Sequence, residues 1–325
     1  MKSKIKKILK KSFILRVILI KKRIKQEKLL SKMSDDELVE REIQKFTDYY
    51  KVPPNLNDPT TFSEKTLWQK LNYKNPELSF YADKYMVKNK IKEVLGVDLG
   101  VKTLKVFNTP NELNFDGLPN KFVLKINNGS GYIYLGMKKN NKYIFKDLKN
   151  TTSPLFSLKQ IKIIFKLLFQ LNLFYYSYEY AYKDIKPLLF IEEYLEENNL
   201  TDYKFHMNYG KFIFLNVVSG RQHDTKDDYY DENLNRMDIR WSNPPSENPT
   251  PLPKEVEQMK RYASILSKDF PISRIDFYIA DNRIFLGEVT FYQEAGYFNI
   301  EFPSDLDLIL GKKFDISRNF KNQQI

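Results

Sequence analysis

Ser273-Arg274-Ile275-Asp276-Phe277-Tyr278 and, after a short break, Leu286-Gly287-Glu288-Val289-Thr290-Phe291 decide how this chain is read. Both runs alternate apolar and polar residues, the pattern of paired strands. A turn centred on Asn282 sets Asp276 across from Glu288 and Arg274 across from Thr290. Strand side chains alternate faces, so all four then project from one side. Two carboxylates placed opposite each other repel unless a cation lies between them. That cation is either the Arg274 guanidinium or a metal ion, unless the face is simply solvated. Hard oxygen ligands such as the Asp276 and Glu288 carboxylates suit Mg2+ or Mn2+, and Mg2+ commonly bridges carboxylates to nucleotide phosphates.

Composition narrows the chemistry. The 325 residues include no cysteine and two histidines, His206 and His223. Disulfides, thiol nucleophiles, iron–sulfur clusters and multi-histidine metal sites are therefore excluded. A hydrophobic fraction of 42% belongs to a globular protein with a substantial core. There are 11 glycines, so a glycine-dense loop stands out.

Such a loop, Asn127-Asn128-Gly129-Ser130-Gly131, follows the strand-like Phe122-Val123-Leu124-Lys125-Ile126. A lysine at the end of a buried strand needs an anion, and loop amides can cradle phosphate oxygens. It is not a Walker A sequence, because the lysine precedes the glycines. Further candidates are Asp83-Lys84, the strand Leu189 to Leu195 with Glu192 and Glu193, and Lys204. Each read alone is also an ordinary helix or strand surface. Arg221 and His223, after an apolar strand, could meet an acidic substrate or form a polar turn. His206 reads as a structural histidine.

The remaining pattern gives an α+β class with mostly antiparallel strands. Helices are expected at 34–50, capped by the box Ser34 to Glu37, at 63–71 from a Ser63 cap, at 76–95, 157–172 and 254–268, with a closing one after Pro303. Strands are expected at 121–126, 132–137, 142–146, 188–194, 202–207, 211–218, 273–279 and 283–290.

The formal charge of +12 resides in residues 1–32, which hold 13 Lys and Arg against Glu27. The other residues balance, which argues against a nucleic-acid-binding body. Ile5, Leu9, Phe13, Val17, Ile20 and Ile24 share one stripe of a helix too short in apolar residues to span a bilayer. Such a helix suits an anionic membrane surface, or it docks on the body or on a partner.

In order, Asp-Lys, strand-Lys with a glycine loop, Glu-Glu-Tyr-Leu, Arg-x-Asp and Glu-x-Thr resemble the ATP-grasp superfamily. The segments Phe62-Ser63-Glu64-Lys65, Ala82-Asp83-Lys84-Tyr85, Phe122 to Lys125, Asp202-Tyr203-Lys204-Phe205 and Gly287 to Tyr292 are similar to its teichuronopeptide-biosynthesis (TupA-like) branch. The resemblance spans about 45–312. It implies two α/β subdomains clamping ATP, at 119–195 and 196–312, after a basic helix at 1–33 and a helical region at 34–118, with a polar tail at 313–325. It implies that Lys84 and Lys125 hold ATP phosphates and that Asn128, Gly129, Ser130 and Gly131 close over them. Glu192, Glu193, Tyr194 and Leu195 would read adenine and ribose, with Lys204 as a further contact. Asp276, Glu288 and Thr290 would carry Mg2+ or Mn2+, Thr290 replacing the usual asparagine. Arg274, with Lys125, would act on the acyl phosphate. The activity implied is carboxylate–amine ligation on a cell-surface polysaccharide, by a cytoplasmic protein peripheral to the inner membrane face. Its partners would be a carboxylate-bearing glycan or sugar acid, an amine and the anionic membrane, and no nucleic acid. The alternatives are a glycosyltransferase, whose Asp-x-Asp metal motif Asp305-Leu306-Asp307 spells but in an expected helix rather than at a strand end, and a non-catalytic nucleotide-binding scaffold.

Overall fold

The computed structural model describes residues 13–129, 131–140, 142–150, 152–196, 200–220 and 224–320. Two antiparallel sheets of six strands each carry the architecture. The first comprises β1 (Thr103–Phe107), β2 (Lys121–Ile126), β3 (Ile133–Lys139), β4 (Lys142–Asp147), β5 (Phe156–Ser157) and β6 (Leu189–Glu193). Its spatial order is β1-β6-β2-β3-β4-β5. The second comprises β7 (Asp202–Asn208), β8 (Lys211–Ser219), β9 (Lys226–Tyr230), β10 (Arg236–Met237), β11 (Ser273–Ala280) and β12 (Arg283–Thr290), ordered β10-β9-β8-β7-β11-β12. The chain passes from one sheet to the other once, between β6 and β7.

Each sheet has one apolar and one polar face. On the first, Phe122, Leu124, Ile126, Tyr134 and Phe145 pack beneath two helices, α1 (Phe13–Leu30) and α6 (Leu158–Leu168). Val123, Lys125 and Glu192 point the other way, Val123 pairing with Glu192. On the second, Phe205, Leu215, Ile275 and Phe277 pack under α8 (Val256–Leu266), and the opposite face carries the charged residues. A separate aromatic core of Phe62, Trp241, Phe298 and Phe314 joins α3 (Phe62–Asn72) to α9 (Leu306–Lys313). A short α10 (Ser317–Phe320) follows α9.

The helices α2 (Asp35–Tyr50), α4 (Glu77–Ala82), α5 (Met86–Leu95) and α7 (Leu173–Ser177) complete the set. Ser34 and Glu37 form the expected capping box. Three expectations are corrected. Thr61, not Ser63, caps α3, in a box with Glu64, while Ser63 is taken by Asp307. The helix expected at 76–95 breaks at Asp83, whose Oδ1 accepts the amides of Tyr85 (2.8 Å) and Met86 (3.0 Å) and so starts α5. Strand β1 lies inside the stretch read as helical, and β5, β9 and β10 were not foreseen.

The basic N-terminal helix is described from Phe13 onward. Ile20 and Ile24 enter the core of the first sheet, and Leu30 a neighbouring one. Arg16 reaches Asp147 and the Tyr134 hydroxyl, 2.6 Å away, and Glu27 accepts the Asn172 amide at 2.7 Å. The apolar stripe of α1 is thus docked on the body. Among the described residues no helix is long and apolar enough to cross a membrane.

Candidate functional site

The hairpin of β11 and β12 reaches the expected pairing by an unexpected route. Its turn is a two-residue one, Asp281-Asn282, both left-handed (φ 48° and 57°). Carried straight down the ladder, that turn would place Asp276 across from Gly287. A bulge between Asp276 and Phe277 shifts the register by one, and Glu288 comes opposite Asp276, Thr290 opposite Arg274. Glycine suits the bulge, since a Cβ at 287 would lie 3.3 Å from the Asp276 carbonyl.

Arg274 occupies the space between the carboxylates. Its Nε and Nη2 donate to the two Asp276 oxygens at 2.7 Å each, a forked contact. Nη2 also reaches Glu288 Oε1 at 2.8 Å and Thr290 Oγ1 at 3.3 Å. Burial alone would lower the arginine's pKa, and the two carboxylates more than reverse it. Burial would likewise raise Glu288. The charges of Lys84, Arg274, Lys149 and Lys204 overcome that and hold it at about 2. The salt-bridge and metal readings are compatible, because each carboxylate oxygen keeps a second lone pair. Asp276 and Glu288 fit one Mg2+ shared with a ligand's phosphates, since Mg2+ is usually held by one or two carboxylates. Among the described residues no cluster of three or more acidic, histidine or cysteine ligands exists.

Lys84 sits in the break between α4 and α5. Its Nζ lies 4.0 Å from Glu288 Oε2, and its amide donates to the Asn127 carbonyl at 3.2 Å. Asn127 also donates from Nδ2 to Asp83 Oδ2 (2.7 Å) and to the Lys186 carbonyl (3.0 Å). This clamp, fully buried at Asn127, locks the Asp-Lys turn to the start of the glycine loop. Asn128 is buried, Gly129 follows, and Gly131 takes φ 83°. Ser130 lies outside the described residues, as do Arg221 and His223.

Lys125 and Lys88 grip Glu192 from two sides. Lys88 also donates to the Val101 carbonyl (2.8 Å) and Thr103 Oγ1 (2.9 Å), tying α5 to β1 and β6. Glu192 is 3% exposed; burial would raise its pKa, and the two lysines bring it below the usual carboxylate range. Its carboxylate is thus committed inside the protein. Tyr194 places its ring 5.6 Å from the Lys121 ammonium. Glu193 and Leu195 line a cavity of about 460 Å³ between the sheets, together with Thr103, Val101 and Phe285.

On the polar face of the second sheet, cross-strand neighbours form rows. Glu288, Asp276, Lys204 and Asn216 make one; Thr290, Arg274, His206 and Phe214 the next. His206 stacks on Phe214 at 3.9 Å, and burial keeps its imidazole neutral. Among the described residues its Nε2 finds no hydrogen-bond partner. Asp307 accepts from Ser63, with its pKa raised by burial, and so serves packing rather than an Asp-x-Asp metal motif.

Sequence reasoning missed Lys88, Lys149 and the Asp83–Asn127 clamp. Lys88 was visible as the residue one helical turn after Lys84. Its pairing with Glu192, itself a candidate on its own strand, joins residues distant in sequence and gave no signal.

A family model described as TupA-like ATPgrasp matches residues 64–315. Among solved structures, the chain is similar to a D-alanine–D-alanine ligase from Helicobacter pylori: 16% identity, 73% of this chain, 61% of that one, TM-score 0.42. It is similar to the ATP-grasp ligase PsnB bound to a minimal precursor (13%, 74%, 63% and 0.36). A D-alanine–D-alanine ligase from Bacillus anthracis gives 17%, 75%, 70% and 0.40. The chain thus spans about three fifths of the H. pylori ligase's length. No curated protein matches the sequence.

Proposed function

The chain belongs to the TupA-like ATP-grasp family, and on that premise we propose that it is an ATP- and Mg2+-dependent carboxylate–amine ligase. The observation that carries this reading is the meeting of Lys84, at the glycine-loop clamp, with Glu288 and its Arg274–Asp276 partner on the facing sheet. Lys125 on the first sheet, Lys84 at the glycine-loop clamp, and Lys204 beside the carboxylates of the second sheet suit a single nucleotide triphosphate among them.

In this reading Lys84, Lys125 and Lys204 bind phosphate oxygens and the amides of Asn128, Gly129 and Gly131 close over them. Ser130 of the same loop and the sugar-acid contacts Arg221 and His223 belong to the proposal on sequence grounds. Glu193, Tyr194 and Leu195 present backbone to adenine. Asp276 and Glu288, with Thr290, hold Mg2+, which neutralises phosphate charge. Arg274 holds both carboxylates in place and faces the reacting carboxyl.

An oxygen of the substrate carboxylate attacks the γ-phosphorus, and ADP leaves. An amine then attacks the acyl carbon, phosphate leaves, and the nitrogen loses a proton to give the amide. The substrates proposed are a uronic or amino-acid carboxylate on a cell-surface glycan and an amine. Residues 1–32 would keep the protein at the inner membrane face, where lipid-linked precursors lie.

The test is incubation of purified protein with ATP, Mg2+, candidate uronates and amines. ADP and phosphate formed only when carboxylate is present support a ligase, and hydroxylamine should trap the acyl phosphate. Release of a nucleoside diphosphate from a sugar nucleotide instead would mark a glycosyltransferase, and no binding of Mg-ATP would end the reading.

A further inference from the structure

The two helices on the back of the first sheet share a property that neither the fold nor the nucleotide cleft uses. Helices α1 and α6 lie side by side over one core, with Ile20 and Ile24 of α1 meeting Ile161, Ile164 and Phe165 of α6. Their other faces look outward. On α1 that face carries Lys21, Lys22, Lys25 and Lys28, all exposed. On α6 it carries Lys159 and Lys166, exposed, and the half-buried Lys162. None of these ammonium groups enters an ion pair among the described residues.

No acid balances them. The single acid of α1, Glu27, is buried against Arg23 and the Asn172 amide, and α6 has none. Set among the lysines are apolar side chains left in water: Ile14 (68% exposed), Ile18 (54%), Leu19 (48%) and Leu29 (59%). Leu155, beside the start of α6, is 52% exposed. A solvated helix face has no reason to spend that much apolar surface.

We infer that the paired outer faces of α1 and α6 form a docking platform for an anionic lipid bilayer, with Lys159, Lys162 and Lys166 of α6 as much a part of it as the N-terminal lysines. The inference rests on the membrane placement proposed above and says which surface makes the contact. Lysines meet lipid phosphates while Ile14, Ile18, Leu19 and Leu29 enter the acyl boundary, as interfacial helices do. A nucleic acid would use the cations and leave the isoleucines stranded. A second copy of the same face would set lysines against lysines. Because the polar face of the first sheet lies opposite, docking turns the nucleotide cleft away from the headgroups and toward the soluble side.

The test is sedimentation of the full chain with vesicles of phosphatidylglycerol and phosphatidylcholine, against phosphatidylcholine alone. Binding should need the anionic lipid and weaken with salt. Lys159→Gln, Lys162→Gln and Lys166→Gln together, with residues 1–32 intact, should weaken it about 100-fold, at roughly fivefold per lysine. Ile14→Gln with Ile18→Gln should weaken it without changing its lipid selectivity. These side chains are exposed or half-buried, and an unchanged melting temperature confirms that the variants fold. If the triple variant binds like the parent while changes in residues 1–32 abolish binding, the platform is wrong and the tail alone anchors. If duplex DNA binds and vesicles do not, the lipid assignment is wrong. ADP release measured without vesicles is unaffected by these variants, which separates a failure of the platform from a failure of the ligase reading.

Discussion

Replacing Lys88 with methionine removes one of two cations from a carboxylate that is 3% exposed. Methionine keeps the length of the stem, so the change is chiefly electrostatic. Glu192 keeps Lys125, so it is not stranded, and the 3–5 kcal/mol penalty of an orphaned buried charge does not apply in full. A hydrogen bond to a charged group contributes about 1.5–3 kcal/mol. The bonds from Lys88 to Val101 and Thr103 go as well. The expected loss is therefore about 2–3 kcal/mol, or roughly a 5 °C drop in melting temperature for a chain of this size. The cause is isolated by a double-mutant cycle with Glu192→Gln, which removes the charge that Lys88 neutralises. If Lys88 acts through Glu192, the double variant loses at least 1 kcal/mol less than the two single losses combined. Additivity to within about 0.5 kcal/mol would refute the reasoning and leave Lys88 as a tie to β1 alone. Mg-ATP titration adds a second readout: with Lys88 gone, Glu192 draws wholly on Lys125, and nucleotide affinity should fall.

Other outcomes follow from the same contacts. Glu288 is depressed to about 2 from 4.5, so its contribution to stability is complete above pH 4.5 and is lost as pH falls toward 2; Glu288→Gln should flatten an acid melt over that window. Thr61→Ala should cost about 1 kcal/mol by denaturant titration, through loss of the α3 cap, and Thr61→Ser should restore most of it. A Cβ at Gly136 would come within 2.3 Å of the Phe122 ring, so Gly136→Ala should destabilise by about 1–3 kcal/mol, with Phe122→Leu easing the loss. Asn127→Ala should weaken nucleotide binding more than it lowers melting temperature if the clamp with Asp83 positions Lys84; an unchanged dissociation constant would argue that the clamp serves packing only.

The polar signatures were legible because each is a charged residue on an otherwise apolar strand, where its presence needs a reason. The register of the last hairpin came out right through two compensating errors, a turn placed half a residue late and a bulge at Gly287 unseen. A bulge leaves little mark in a single sequence beyond a glycine in a strand. The cap at Thr61 was legible and overlooked, since Thr61-Phe62-Ser63-Glu64 spells the capping box that Ser63 does not. The break at Asp83 was hidden by continuous helical periodicity on both sides of it. Lys88 and Asn127 were hidden for a different reason, their partners lying far along the chain. The stripe of α1 announced a helix, and only the fold shows that the stripe is covered and the opposite face is not.

Glu27 of α1 closes its contact with a residue 145 positions later. During synthesis at about 5–20 residues per second, the early segment waits on the order of ten seconds for α6 and Asn172 to emerge. Through that interval a cationic strip with a greasy underside is loose beside the ribosome, free to meet RNA, a chaperone or the bilayer first. The first lobe therefore matures late, and a nascent chain halted before position 172 should be recovered bound to other molecules rather than folded.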